Sequence, residues 1–374
     1  MDIPIAFPKN TISKMNSLSR NFPICFISNE QICTYKQGKF YLVNIVSGSS
    51  FYLTAINEFI TEGLLSRIKI LSRLLRTGVR CGIKINQNEI LFVLHKTIFN
   101  LNLTTKLITK EHWHKNGGRP LSMARIQGIE GFENSFYFGE YFSNPKKIEV
   151  NIFKREENGK WNVVGSFPHG SINHIHALIP DVFQNCVWIL TGDFDNSAGI
   201  WNTDNEFKTI NPVMIGDQEY RACVAFPTKD GLLYATDTPF CHNSIRLLNK
   251  SNGIWISKKV VDIDGPVIYG CKFNSNFVFS TSVEGNGTEK GFKMLFGRKR
   301  GNGIKEPVSC IYYGNLETGF KSIYKNEKDL LPFVLFQFGT IVFPEGENKT
   351  NILPFYPIAL KKGDLTFMTL KISN

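Results

Sequence analysis

Short apolar runs separated by polar turns follow one another along most of the chain. Residues 90–94 (ILFVL), 136–138 (FYF) and 188–190 (WIL) are too short for buried helices and rich in β-branched and aromatic residues. Gly, Asn, Asp and Ser, which favour turns, stand between such runs. The pattern therefore predicts an all-β chain of short strands joined by turns.

A repeat organises these runs. Turns followed by an aromatic residue recur at intervals of 46, 48 and 65 residues, and these aromatics are Trp161, Phe207, Trp255 and Phe320. Polar residues that end a run recur at intervals of 45, 53, 44 and 45 residues, and they are His95, Glu140, Asp193, Asp237 and Ser282. Two landmarks with one period predict a β-propeller, whose four-stranded blades have about this length.

The repeat also sets the blade boundaries. Blades are predicted to begin near residues 22, 79, 119, 173, 219 and 266, with a last unit from about 333. This gives six or seven blades, and the two chain ends should share one blade so that no sheet edge is exposed. In the fourth unit the strands are predicted at 174–179, 187–191, 199–202 and 207–211.

Residues 1–374 are interpreted as a single propeller domain. One segment departs from the strand pattern. Residues 58–76 have helix-like apolar spacing, which predicts either a short helical insertion or an outer strand.

Propeller geometry brings certain positions to one face. The connection from one blade to the next and the loop after each second strand emerge on the same side of a four-stranded meander. Polar residues that start first strands or end second strands should therefore meet at one mouth. The candidates at or near these positions are Arg80, Arg119, Glu140, His174, His176, Asp193, Arg221, Asp237 and Glu284.

Five of these candidates are predicted to bind substrate. Arg80, Arg119 and Arg221 suit an acidic ligand, because a guanidinium donates two parallel hydrogen bonds to a carboxylate. Glu140 and Glu284 complete this set. The arginines could instead pair with carboxylates at neighbouring strand ends, and that alternative stays open.

The remaining four candidates are predicted to be catalytic. His174 and His176 are two residues apart, so their imidazoles share one face of a strand, and histidine titrates in the range useful for proton transfer. Asp193 and Asp237 join them, although both could be turn residues that bond their own backbone. A metal ion held by both histidines and Asp193, or histidines satisfied within the core, are the alternatives. Because a bare His-x-His pair is a weak metal signal, no metal or other cofactor is predicted.

Charge narrows the class of partner. The chain has 43 Lys and Arg against 32 Asp and Glu, a formal net charge of +11, which favours an anionic partner such as an acidic glycan. It has no nucleic-acid-binding motif, so no nucleic-acid partner is predicted. It has no run of 18 apolar residues, so no membrane span is predicted. The first residues do not resemble a signal peptide, and we expect a cytoplasmic chain.

A family resemblance rests on short stretches from about residue 118 onward, and they are 118–121, 137–144, 174–176, 191–195, 218–222, 235–237, 279–284, 328–329 and 336–339. In these stretches the sequence resembles bacterial sialidase-like propeller proteins, which carry BNR or Asp-box repeats and are often encoded near polysaccharide genes. The resemblance implies a sialidase-like propeller associated with glycans, and it implies no particular reaction. Arg80, Arg119 and Arg221 could supply the three arginines of true sialidases, but no Tyr–Glu pair matches.

Two functions of different classes follow. The first is an enzyme that acts on a uronic or sialic-type glycan. It would be either a polysaccharide lyase, which needs a cation and a base, or a glycoside hydrolase, which needs two carboxylates. The second is a non-catalytic glycan-binding or scaffold propeller in polysaccharide biosynthesis. Glycosyl transfer is a third alternative, for which the chain has no recognisable nucleotide-sugar motif.

Overall fold

The computed structural model describes residues 11–56, 65–114, 119–287 and 291–372, without the side chains of residues 11–17 and of Asp195. Within these residues the chain forms 28 strands arranged in seven antiparallel sheets of four. The chain is therefore an all-β, seven-bladed propeller, which confirms the architecture predicted from the repeat and settles the number of blades.

Strand β1 (Thr11–Ser19) comes first in the chain and belongs to the last blade. Blade 1 has β2 (Phe22–Phe26), β3 (Gln31–Lys36), β4 (Lys39–Asn44) and β5 (Ser50–Ala55). Blade 2 has β6 (Val79–Asn86), β7 (Glu89–Leu94), β8 (Thr97–Asn102) and β9 (Ile108–Trp113). Blade 3 has β10 (Ala124–Ile126), β11 (Ser135–Gly139), β12 (Val150–Arg155) and β13 (Trp161–Phe167).

Blade 4 has β14 (His174–Asp181), β15 (Cys186–Gly192), β16 (Gly199–Thr203) and β17 (Asn211–Ile215). Blade 5 has β18 (Ala222–Thr228), β19 (Gly231–Thr236), β20 (Asn243–Ser251) and β21 (Ile254–Ile263). Blade 6 has β22 (Val267–Phe273), β23 (Asn276–Thr281), β24 (Val308–Asn315) and β25 (Gly319–Glu327). Blade 7 has β26 (Thr340–Val342), β27 (Ile352–Ile358), β28 (Thr366–Lys371) and β1.

The two ends of the chain close the ring in blade 7. Its strand order is β26, β27, β28 and β1, so β1 is the outermost strand. β1 pairs antiparallel with β28, with Thr11 opposite Lys371. This pairing covers an edge of β28 that would otherwise expose unpaired backbone groups. The predicted sharing of one blade by both chain ends is confirmed.

Apolar layers between neighbouring blades form the core. Between blades 4 and 5, Trp188 and Leu190 pack with Leu232 and Tyr234, and all four side chains are fully buried. The Trp188 indole N–H donates to the Asp181 carboxylate at 2.8 Å, which satisfies its only polar group. The core is thus a ring of thin layers, so a chain of 374 residues needs no single thick core.

The fourth strand of blade 4 lies further along the chain than predicted. β17 spans Asn211–Ile215 rather than 207–211. Phe207 lies in the preceding turn with φ 63° and is buried, with its ring against aromatic side chains of blade 3. The Asn205 side-chain oxygen accepts the backbone N–H of Thr209 at 3.0 Å, which stabilises this longer turn. The prediction was wrong because the aromatic residue packs between blades instead of starting a strand.

Within the described residues, three short α-helices lie outside the blades: α1 (Lys69–Leu74), α2 (Phe292–Phe296) and α3 (Phe333–Phe336). α1 falls in the segment with helix-like spacing, of which residues 58–64 lie outside the described residues. Arg73 of α1 is buried and pairs with Asp329 and, at 3.4 Å, with Asp364, so α1 is fixed against the last part of the chain. None of the helices described here has the length and apolar character that a membrane crossing requires.

Candidate functional site

The residues predicted to converge lie at one end of the blades. An antiparallel meander places the start of its first strand beside the end of its second strand. The residues that directly follow second strands are Glu140 after β11, Asp193 after β15 and Asp237 after β19. The residues at the starts of innermost strands are Arg80 in β6, His174 in β14 and Arg221 just before β18.

Five of the seven innermost strands are irregular near this end. In β2, β6, β14, β18 and β22, the pairing with the second strand shifts register within the first four residues. A β-bulge of this kind adds a residue to one strand and turns its side chain to a new direction. The residues at the shifts in β6, β14 and β18 include Arg80, His176 and Cys223, so the bulges bring functional groups to this face.

His174, His176 and Asp193, here called the histidine centre, bring three donor atoms together. Nε2 of His174 lies 3.1 Å from Nε2 of His176, and each lies 3.4 Å from Oδ1 of Asp193. Both histidines are buried, with 5% and 2% of their surface exposed, whereas the Asp193 side chain is 26% exposed. The three atoms form a nearly equilateral triangle whose carboxylate corner reaches solvent.

Backbone carbonyl groups orient both imidazoles. Nδ1 of His174 lies 3.1 Å from the oxygen of Phe142, and Nδ1 of His176 lies 2.8 Å from the oxygen of Ala222. A carbonyl oxygen only accepts, so we assign a ring proton to Nδ1 of each histidine. Burial lowers the pKa of His174, although the nearby Asp193 carboxylate opposes the shift. His174 therefore presents an unprotonated Nε2.

Arg221 connects the histidine centre to blade 5. Its Nη2 lies 3.0 Å from Oδ1 of Asp193, its Nη1 donates to the backbone oxygen of Asp193 at 3.3 Å, and its Nε lies 3.5 Å from Oδ2 of Asp237. Burial alone would raise the pKa of Asp193. The neighbouring imidazoles of His174 and His176, with the charge of Arg221, hold that pKa well below its usual range. Asp193 is therefore an anion at neutral pH.

Cys223 belongs to this site and was missed in the sequence. Its thiol donates to Oδ2 of Asp237 at 3.1 Å, and its sulfur lies 3.3 Å from Nδ1 of His176. Burial, with the charge of Asp237, raises the pKa of the Cys223 thiol well above its ordinary value, so the sulfur stays protonated. Its context, Ala222-Cys223-Val224-Ala225, is that of an ordinary apolar strand, and the bulge in β18 leaves no signal in the sequence.

Glu284 lies shortly after β23 and is buried. Its Oε1 accepts a hydrogen bond from Oγ of Ser282 at 2.6 Å. Burial and then the charge of Asp237 raise the pKa of Glu284 to about 8, although Ser282 and Arg221 oppose the rise. A carboxyl group that keeps its proton at neutral pH can donate a hydrogen bond, which a carboxylate cannot.

Arg76, Arg80 and Arg119, with Tyr269, line what is here called the arginine cavity, of about 130 Å³. Burial and the charge of Arg80 lower the pKa of both Arg76 and Arg119, so the three guanidinium groups are close enough to repel one another. In the described parts of the chain, no carboxylate forms an ion pair with any of the three, and Nε of Arg80 is buried without a hydrogen-bond partner. Among the described residues, the cavity is therefore a cationic site without a carboxylate counter-ion.

Tyr141 lies between the arginine cavity and the histidine centre. The guanidinium carbon of Arg80 is 5.5 Å from the centroid of the Tyr141 ring, and the same ring is 4.3 Å from the imidazole of His174. The backbone oxygen of Tyr141 accepts the N–H of Arg119 at 3.1 Å. Burial raises the pKa of Tyr141, so its phenol stays neutral. The two groups of residues thus lie on either side of one aromatic ring.

Glu140 is the one predicted site residue that the structure places apart. Its Oε2 accepts from the backbone N–H of Asn151 at 2.8 Å and from the Asn151 side chain at 3.0 Å. These bonds join the end of β11 to β12. Among the described side chains, the Glu140 carboxylate contacts no other predicted site residue.

Solved structures share this architecture. An oligogalacturonate lyase from Vibrio parahaemolyticus is 11% identical, with 99% of this chain and 98% of that chain covered and a TM-score of 0.57. The AfRom2 CNH domain is 8% identical, with 98% of this chain and 99% of that domain covered and a TM-score of 0.55. A chain of the mitotic checkpoint complex is 11% identical, with 100% of this chain and 97% of that chain covered and a TM-score of 0.51.

The chain has the fold of a β-propeller. At identities this low, the likeness to these structures shows the fold alone. No protein-family model matches the chain, and no curated protein sequence matches it either. The sialidase-like type and the Asp-box repeat therefore stay predictions.

Gly192 leaves the space that the His176 imidazole occupies. A Cβ at this position would overlap the imidazole ring. We expect Gly192→Ala to lower the free energy of unfolding by about 1–3 kcal/mol, as overpacking does, and urea denaturation measures this. In a His176→Ser background, Gly192→Ala should lower the free energy of unfolding by much less. An equal cost in both backgrounds would mean that the methyl group does not meet the imidazole.

Proposed function

We propose that the chain is a carbohydrate-active protein that binds an acidic glycan at the arginine cavity and cleaves it by β-elimination at the histidine centre. The observation that carries this proposal is that Arg80 and its neighbours Arg76 and Arg119 have no carboxylate partner among the described residues. A buried cation without a counter-ion is costly. A carboxylate of a bound uronate would supply both the missing charge and an acceptor for the Nε–H of Arg80.

Elimination from a uronate needs a cation and a base. The cation neutralises the sugar carboxylate, which makes the neighbouring C5–H acidic enough for a base to remove its proton. In this proposal the arginine cavity binds the carboxylate, and the histidine centre supplies the base on the other side of Tyr141. The C5–H bond breaks, C4 and C5 become doubly bonded, and the C4–O bond breaks as the leaving oxygen takes up a proton.

Glu284 supports binding of an acidic substrate. As a neutral acid it can donate a hydrogen bond to a sugar oxygen without repelling the sugar carboxylate. The carboxylates of Asp193 and Asp237 are each within 3.5 Å of Arg221, which limits their repulsion of the same ligand. Arg80 also lines the central channel of about 1140 Å³ inside the ring, so a bound glycan would lie over the mouth of that channel.

Hydrolysis is the second candidate reaction, and one observation favours it. The pKa of Glu284 is raised to about 8, whereas the pKa of Asp193 is held well below its usual range. Two carboxyl groups whose pKa values differ in this way can act as the acid and the base in glycoside hydrolysis. The reaction products distinguish the two candidates.

The test is incubation of the purified chain with a panel of acidic glycans, with reducing ends and the ultraviolet absorbance of unsaturated uronates followed together. Oligogalacturonate is the first probe, because a lyase named for it has the same fold. Alginate, hyaluronan and polysialic acid complete the panel. We expect new reducing ends to appear together with the ultraviolet absorbance of unsaturated uronates.

Each other outcome has a distinct meaning. Reducing ends without absorbance would replace elimination by hydrolysis. A rise in melting temperature with one glycan and no product would make the chain a non-catalytic glycan-binding protein. No product and no shift with any acidic glycan would overturn the proposal.

A further inference from the structure

The histidine centre has the geometry of a metal site. Nε2 of His174, Nε2 of His176 and Oδ1 of Asp193 are separated by 3.1, 3.4 and 3.4 Å. A tetrahedral ion with bonds of about 2.05 Å holds its ligand atoms about 3.3 Å apart. We propose that these three atoms bind a divalent first-row transition-metal ion. This proposal deepens the proposed function and rests on it only for the role of the ion in catalysis.

The orientation of the imidazoles favours a cation between the three atoms. Because each Nδ1 donates to a backbone carbonyl, the unshared electron pair of a neutral imidazole lies on Nε2, and both Nε2 atoms lie beside the third atom, a carboxylate oxygen. Unprotonated nitrogens 3.1 Å apart repel each other unless a cation lies between them. One proton shared by the two imidazoles is the alternative cation, but it bridges only two of the three atoms. A metal ion contacts all three.

The surroundings of the histidine centre are those of a protein metal site. Metal-binding histidines donate their other ring N–H to a carbonyl or carboxylate, and the carbonyls of Phe142 and Ala222 accept here. Arg221 orients the Asp193 carboxylate at 3.0 Å. Its positive charge is offset by Asp237 at 3.5 Å, so the centre can accept a second cation.

A second set of donors shares His176 but suits a metal ion less well. Nδ1 of His176, the sulfur of Cys223 and Oδ2 of Asp237 also lie close together. Nδ1 of His176 donates to the carbonyl of Ala222 at 2.8 Å, and the Cys223 thiol donates to Oδ2 of Asp237 at 3.1 Å. Both atoms are already engaged with oxygen acceptors, so the ion is assigned to the Nε2 side of His176.

Two imidazoles and one carboxylate select a class of ion. Imidazole suits Zn²⁺ and Fe²⁺, and carboxylate extends the range to Mn²⁺. Three protein ligands leave positions for water or substrate, as in catalytic sites, and the exposed edge of Asp193 marks the open side. With both Nε2 atoms bound to the ion, a metal-bound water of lowered pKa would supply the base of the histidine centre, and the arginine cavity would still bind the sugar carboxylate.

The test uses the full chain without any glycan. The protein is stripped with a chelator, titrated with Zn²⁺ and Mn²⁺ by calorimetry, and analysed for metal by mass spectrometry. We expect one ion per chain and a higher melting temperature for the loaded protein. His174→Gln, His176→Gln and Asp193→Asn should each weaken binding by more than about 100-fold, since even partners outside the ligand set change affinity by about 10–100-fold.

His242→Gln is the matched control, because His242 is an exposed histidine outside the site. It should bind the ion as the wild type does. Equal binding by the wild type and Asp193→Asn, or equal losses in His242→Gln, would overturn the proposal. If the histidine variants do not fold, the visible spectrum of Co²⁺ in the wild type decides. Intense bands would show nitrogen ligands in a site of low coordination number, and the weak spectrum of hydrated Co²⁺ would contradict the assignment.

Ion binding and glycan cleavage are measured separately, because Zn²⁺ is titrated without any glycan. Glycan cleavage without ion binding would remove the metal proposal alone. Ion binding with no effect of any acidic glycan would remove the glycan proposal alone.

Discussion

Arg80→Leu is expected to lower the affinity for an acidic oligosaccharide by about 30-fold or more while leaving the folded chain at least as stable as the wild type. Loss of one partner from a desolvated charge pair costs about 2–5 kcal/mol of binding, and 1.4 kcal/mol is a tenfold change in Kd. Stability should not fall, because in the described residues Arg80 has no carboxylate partner, and its burial and its repulsion by Arg76 and Arg119 offset its contact with the Tyr141 ring. Most arginine substitutions at structural ion pairs have the opposite effect on stability.

Calorimetry with the glycan that gives the largest melting shift measures the affinity, and urea denaturation measures the stability. Arg298→Leu is the control, because it removes the same charge from an exposed position in the basic run of residues 298–300. Equal losses of affinity in both variants would indicate long-range attraction rather than a site. Wild-type affinity in Arg80→Leu would remove the arginine cavity from glycan binding, and a large loss of stability would make Arg80 a structural residue.

The architecture could be predicted because its signal repeats. Trp161, Trp255 and Phe320 lie in the first two residues of the outermost strands β13, β21 and β25. Each aromatic residue alone is weak evidence for a strand, but recurrence at similar intervals, longer only before Phe320, makes chance agreement improbable. Phe207 broke the pattern because its ring packs between blades. The number of blades could not be derived, since β26 has only three residues and β1 completes its blade from the other end of the chain.

The position of the site could be predicted because topology alone determines it. A residue that follows a second strand must lie at the same end of every blade, and Asp193 and Asp237 do so. The contacts within the site could not be predicted in the same way. The bulges in β14 and β18 direct His176 and Cys223 into one cluster, and a shift of register changes neither composition nor hydrophobic pattern.

Only some residues of the arginine cavity could be predicted from the sequence. Arg80 and Arg119 were predicted from their places at blade starts, but Arg76 and Tyr269 were not. Arg76 lies in the turn after α1, in a segment whose position depends on packing against the last blade. Tyr269 follows the bulge of β22 inside an apolar strand. Tertiary packing rather than sequence pattern brings both residues to the cavity.

Glu284→Gln is expected to remove a loss of stability that the wild type suffers as the pH rises. Burial, the charge of Asp237 and more weakly that of Asp193 raise the pKa of Glu284 from 4.5 to about 8 in the folded chain, against opposing effects of Ser282 and Arg221. Between these pH values the folded state holds a proton that the unfolded state has released. The contribution of Glu284 to the free energy of unfolding is therefore greatest below pH 4.5 and falls as the pH rises to about 8.

Urea denaturation of both proteins from pH 5 to pH 9 measures this effect. The advantage of Glu284→Gln over the wild type should grow by on the order of 4 kcal/mol across the range, since one unit of pKa corresponds to about 1.4 kcal/mol. Ser282→Ala is the companion variant. It removes the hydrogen bond at 2.6 Å that favours the carboxylate, so the fall in stability should extend to higher pH. Parallel profiles for the wild type and Glu284→Gln would show that Glu284 is ionised in the folded chain, and a neutral acid at this face would then be excluded.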